Sequence, residues 1–142
     1  MVSGLAGDGI MKPVMRNKTI LVVDDDPTVI LYVGELLSAK GFTVITAGDG
    51  EEGVARAKEC LPGLILMDLS MPGMNGLEAA GLLRRNLRTE RIPIIAITSL
   101  DSPEDCESAF VAGCDGHIQK PLAGDDLLAK ISTVLRLPKT DG

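Results

Sequence analysis

Five short apolar runs, each followed by a stretch with helical periodicity, leave this chain very few folds to adopt. Thr19–Val23, Phe42–Thr46, Leu64–Met67 and Ile94–Ile97 are rich in β-branched and aliphatic residues, and Gly116–Gln119 is a weaker fifth run. Apolar runs without polar alternation read as strands buried on both faces, as in a parallel sheet. The intervening stretches carry helix signals. Asp26 can cap the first helix, Pro27 suits its first turn, and Ile30, Val33, Leu36 and Leu37 share one face before Gly41 stops it. The second helix is expected from about Glu51 to Cys60, with Pro62 beyond it, and the third from about Leu77 to Leu87, with Arg84, Arg85 and Arg88 near its C-terminal end. Asp101 or Ser102 should cap the fourth, with Pro103 in its first turn and Gly113 at its end. The fifth should span about Asp125–Leu135, with Leu127, Leu128, Ile131 and Leu135 inward. Five strand-then-helix repeats imply an α/β fold, a doubly wound five-stranded parallel sheet.

The chain has 142 residues, the length of one ordinary domain. Residues 18–136 are expected to form it, with flexible tails over 1–17 and 137–142. Met11 and Met15 are alternative starts, and no output domain is expected after Leu137. The composition is 45% hydrophobic but only 2% aromatic, so the core must rest on aliphatic side chains, with the methionines as filler. A net charge of −6 disfavours nucleic acid, whose phosphates require a basic surface. Cys60, Cys106 and Cys114 are too scattered for a metal knuckle or redox pair, and their odd number suits a reducing, cytoplasmic setting. No apolar run approaches the roughly 20 residues of a membrane helix, and the N-terminus lacks the apolar stretch of a signal peptide.

The polar residues that end these strands carry the chemistry. Asp24 and Asp25 follow the first strand, Asp68 the third, Thr98 the fourth and Lys120 the fifth. In a doubly wound sheet the C-terminal strand ends form the ligand crevice, so these residues crowd one edge. Clustered carboxylates repel unless a cation intervenes, and a hard cation such as Mg²⁺ or Mn²⁺ suits oxygen ligands. A carboxylate can also attack phosphorus and form an aspartyl phosphate, provided positive charge and hydrogen-bond donors meet the phosphoryl oxygens. Taken singly, each residue has a plainer role: Asp24-Asp25-Asp26 as a solvated loop with a helix cap, Thr98 as a strand end, Lys120 as a surface charge. Their coincidence on four strand ends favours a site.

The segments ILVVDDDP (20–27), LILMDLSMPGMNG (64–76), IPIIAITS (92–99) and GCDGHIQKP (113–121) resemble, in that order, the response regulator receiver domains of two-component signal transduction, here of the stand-alone type. The resemblance covers roughly residues 18–136 and implies a flavodoxin-like (βα)5 fold with strand order 2-1-3-4-5. It implies that Asp68 is the phosphoacceptor and that Asp25, Asp68 and the backbone carbonyl of Ser70 ligate Mg²⁺ directly, with Asp24 acting mostly through water. It also implies that Lys120 pairs with a phosphate oxygen through a cis Lys120–Pro121 turn, and that Thr98 reports phosphorylation by moving its hydroxyl. The implied donor is a histidine kinase or histidine phosphotransfer protein, docking near Thr28, Leu31 and Leu122. The output is a downstream protein in trans, from a monomer or weak dimer without direct nucleic-acid or membrane contact.

The chain departs from the family in places. His117 stands where a switch Tyr or Phe is usual, so its role is either switch residue or plain partly buried ring. Asn75 stands for an Asp in the loop after the third strand, Gly63 for an Asp before it, and Ser99 for a small apolar residue. Three other classes fit less well. A haloacid-dehalogenase-like phosphatase wants an acid where Ser70 stands, and a flavodoxin-like cofactor binder wants a phosphate loop where the three aspartates stand. A pseudo-receiver, acting as a constitutive protein-binding module, would not need all five key residues.

Overall fold

The computed structural model describes residues 12–71, 73–98, 108–110 and 112–136. Five parallel strands, β1 (Thr19–Val23), β2 (Thr43–Ala47), β3 (Leu64–Asp68), β4 (Ile94–Thr98) and β5 (Gly116–Gln119), form one sheet in the order β2-β1-β3-β4-β5. This is the expected doubly wound order. Four helices are described over their full length or nearly so: α1 (Pro27–Ala39), α2 (Gly50–Cys60), α3 (Gly76–Arg84) and α5 (Gly124–Val134). Of α4, residues 108–110 are described as helical, and the expected cap at Asp101 or Ser102 lies outside the described residues.

Every residue of β3 and β4 is buried, as continuous apolar runs require. Alternation along each strand divides the core into two layers. Leu21, Val23, Ile65, Met67, Ile94 and Ala96 face α2, α3 and α4 through Val54, Ala57, Ala79, Ala80, Leu83 and Ala109. Ile20, Val22, Leu64, Leu66, Ile95 and Ile97 face α1 and α5 through Val33, Leu37, Leu127 and Ile131. The helices thus cover both faces of the sheet and leave its C-terminal edge open.

Local signals explain the helix boundaries. Asp26 caps α1 by accepting from Thr28 N, with Pro27 in its first turn. Asp49, which the sequence reading did not single out, caps α2 through Glu52 N, while Glu52 reaches back to Gly48 N. Asn75 and Glu78 form a reciprocal capping box at α3, a role that Asp would fill equally well, so the cap itself does not explain Asn75 in place of Asp. The third helix ends at Arg84, three residues before the expected Leu87. Thr89, fully buried, donates its hydroxyl to the Leu83 carbonyl at 2.7 Å, which satisfies that helix end and turns the chain toward β4. Gly113 (φ +106°) stops α4 as expected.

The tail expected over residues 1–17 is not free along its whole length. Met15 is fully buried in the α1/α5 layer, and Val14 bridges Arg136. Met15 N donates to Arg136 O at 3.2 Å, and Arg136 N donates to Pro13 O at 2.8 Å. Asn17 then ties this segment to the sheet, accepting from Thr19 N and donating to Leu61 O. A Cβ on residue 63 would stand 2.2 Å from the Asn17 carbonyl oxygen, so Gly63 replaces the usual Asp because the arm passes there. The C-terminal tail over 137–142 lies outside the described residues.

Candidate functional site

The C-terminal ends of β1, β3, β4 and β5 meet at the open edge of the sheet. Asp24 leaves β1, and its N–H donates to Ala47 O of β2 at 3.1 Å. Asp68 closes β3 in register with Ile97, one position before Thr98. Thr98 closes β4, is 3% exposed, and its carbonyl accepts from Lys120 N at 2.7 Å. The register of the parallel sheet therefore gathers the five residues that the sequence singled out at strand ends. The Lys120–Pro121 bond is cis, as the resemblance implied.

Asp24 and Asp68 are each 1% exposed, whereas Asp25 is open to solvent. Asp68 Oδ1 accepts from Ser70 N at 2.9 Å, and its Oδ2 accepts from Lys120 Nζ at 3.3 Å. Asp24 Oδ1 accepts from Asp26 N at 2.8 Å. Its Oδ2 lies 3.2 Å from Lys120 Nζ, an ion-pair contact, yet is buried without an aligned hydrogen bond. Burial, reinforced by the charge of Asp68, holds the Asp24 carboxyl above the usual carboxylate range, against the Asp26 N–H and Lys120. Burial also works against the Lys120 ammonium, but the close carboxylate of Asp24, with the charge and hydrogen bond of Asp68, outweighs it and raises its pKa.

One lysine therefore faces two buried carboxylates and an exposed third, a net negative cleft. Carboxylate oxygens of Asp24, Asp25 and Asp68 all lie within 4.8 Å of one another. The unbonded, buried Asp24 Oδ2 and this all-oxygen donor set fit a hard divalent cation. The buried Asp68 is the carboxylate that donors already orient from two sides.

The remaining candidates lie around this cleft. Ser70 is exposed, with its N–H committed to Asp68. His117 pairs with Ala96 across β4 and β5 and lines an open groove of about 560 Å³ beside Asp126, Lys130 and Thr133 of α5. Lys120, whose ammonium reaches Asp24 and Asp68, lines the same groove. Thr28, Val29 and Tyr32 of α1 form a second groove, of about 430 Å³, with Lys120, Pro121 and Leu122, and Leu31 is exposed nearby. Ser99 lies outside the described residues. The sequence reading missed Tyr32, which lines this second groove and could have been found from its position four residues after Thr28, on the same face of α1.

Residues 20–132 match the family described as response regulator receiver domain. Protein PilH of Pseudomonas aeruginosa is 36% identical over 116 residues, covering 82% of this chain and 96% of that protein. The DNA-binding dual master transcriptional regulator RpaA of a Synechocystis strain is 36% identical over 117 residues, but the chain spans only 48% of it. The chain thus spans about half the length of several curated relatives that it matches. Among solved structures, the Vibrio cholerae chemotaxis protein CheY4 superposes with a TM-score of 0.80 at 31% identity, over 84% of this chain and 99% of that one.

Proposed function

The chain belongs to the response regulator receiver family of two-component signalling, and from that premise we propose that it is a switch operated by phosphorylation of Asp68. The observation that carries the proposal is the setting of that carboxylate. It is buried, oriented by Ser70 N and Lys120 Nζ, and within 4.8 Å of two further carboxylates.

A histidine kinase or histidine phosphotransfer protein would be the donor. An Asp68 oxygen forms the new bond to phosphorus as the bond from phosphorus to the donor imidazole breaks, and the imidazole leaves with that electron pair. Lys120, released from its contact with Asp68 Oδ2, follows a phosphoryl oxygen. Asp25, Asp68 and the Ser70 carbonyl would hold Mg²⁺ or Mn²⁺, with Asp24 behind them; when bound, the ion supplies positive charge to the phosphoryl oxygens. The groove of Thr28, Tyr32, Pro121 and Leu122, with Leu31 beside it, opens next to Lys120 and offers the donor an apolar seat.

The output would be a shift between two states of the α4–β5–α5 face. The Thr98 hydroxyl turns toward the phosphoryl group, and His117, on the adjacent strand, follows in the place of an aromatic ring. The chain acts as a switch read by a protein partner in trans, not as a conventional enzyme.

Intact mass after incubation with acetyl phosphate tests the proposal, with and without Mg²⁺, on wild type and Asp68→Ala. One added phosphoryl group that requires both Mg²⁺ and Asp68 is expected. A wild-type protein that gains nothing from acetyl phosphate or a phosphorylated histidine donor would overturn it.

A further inference from the structure

At the pole opposite the aspartates, a slot of about 220 Å³ opens between the N-terminal arm and the entries to β3 and β4. Arg16, Arg88 and Arg91 line it, and Pro62, Ile92 and Pro93 give it apolar walls; no acidic residue lines it. Three arginines lining one slot stand out in a chain of net charge −6. Their neighbour Arg84 is fully committed to four hydrogen bonds. Among the described residues, by contrast, none of the three slot arginines makes a side-chain hydrogen bond or ion pair, and they are exposed.

The slot is also rigidly framed. Asn17 joins the arm to Thr19 N and to Leu61 O, and Gly63 N donates to Thr19 O at 2.8 Å. Gly63 itself admits the Asn17 carbonyl where a side chain would exclude it. The backbone frame of the slot therefore need not be ordered when a ligand enters; the three arginine side chains still must be, and that ordering is part of the cost of binding.

We propose that this slot binds a small phosphate ester with a planar or apolar body, of the nucleoside phosphate class. Guanidiniums take phosphate oxygens bidentately, and three of them match a dianion. The two proline rings and Ile92 would cover the ligand's ring, while the slot is too small to enclose a folded polypeptide segment. The acidic remainder of the molecule directs an anion to this pole rather than to the aspartate cleft.

Isothermal titration of the full chain in EDTA tests this, with adenosine monophosphate, adenosine, inorganic phosphate and an oligoglutamate peptide as probes. Adenosine monophosphate should bind saturably, more tightly than adenosine or inorganic phosphate, and more weakly as salt rises. Arg88→Ala/Arg91→Ala, checked for an unchanged Tm, should weaken it by about tenfold or more, while Asp68→Asn should leave it unchanged. That last arm separates this site from the phosphoacceptor, so either reading can fail alone. No saturable binding at millimolar phosphate ester, binding unaltered in the double variant, binding lost in Asp68→Asn, or tighter binding of oligoglutamate would each overturn the proposal.

Discussion

Arg84 and Asp115 meet at 2.8 Å and join the last turn of α3 to the entry of β5. Asp115 Oδ2 also accepts from Ile94 N at 2.9 Å, so one carboxylate oxygen fixes the start of β4 as well. The same guanidinium donates to the carbonyls of Gly113, Glu90 and Ile92. The pair is thus the node of a network, mostly shielded from solvent, that positions β4 and β5, the two strands that deliver Thr98 and Lys120.

Arg84→Ala leaves several of these acceptors unpaired, and a loss of about 2–3 kcal/mol of folding free energy is expected. Urea denaturation measures it. Arg84→Lys should recover less than half, because an ammonium cannot reproduce the planar fork; full recovery would show that charge alone suffices.

Asp24 is a carboxylate that the folded protein carries at a cost. It is buried beside Asp68, and its Oδ2 has an ion-pair contact with Lys120 at 3.2 Å but no aligned hydrogen bond, so burial still outweighs its partners. Asp24→Asn is therefore expected to raise Tm by about 4 °C in EDTA. Millimolar Mg²⁺ should raise the wild-type Tm and do less for the variant. Thermal denaturation of both proteins with and without Mg²⁺ decides it, and a variant less stable than wild type in EDTA would refute the strain.

Cys114 is buried, and burial pushes its thiol up to about 11 from an ordinary 9.0. The unfolded thiol ionises first as pH rises. Its contribution to stability is therefore intact below about pH 9 and declines as pH rises through 11. The difference in denaturation free energy between wild type and Cys114→Ala should narrow across that window. In a Cys60→Ser/Cys106→Ser background, the remaining thiol should resist alkylation at pH 8 until the protein is unfolded.

The strands and the cleft were legible because their signals are local and redundant. Continuous apolarity marked β1 with the bounds observed, and the weaker run at Gly116–Gln119 matches β5; β2 lies one residue later than the expected Phe42–Thr46, and β3 and β4 each proved one residue longer, ending on Asp68 and Thr98. What escaped sequence reading depends on contacts between distant segments. Met15 sits in a polar, glycine-rich stretch with no periodicity, so nothing local marks it as core, and its burial exists only because Arg136 returns to the same place. Likewise Leu87 continues the apolar pattern of α3 but is exposed, since the Thr89 hydroxyl ends the helix from beyond it.

The bridge between Val14 and Arg136 gives the two ends of the domain a common exit. Both strand entry and the end of α5 lie at the pole away from Asp68. A fluorophore or surface tether placed at Val14 or at Arg136 would therefore report from one point of the fold. Because the two segments run parallel there, force applied at Val14 and Arg136 would shear that contact and its two backbone hydrogen bonds.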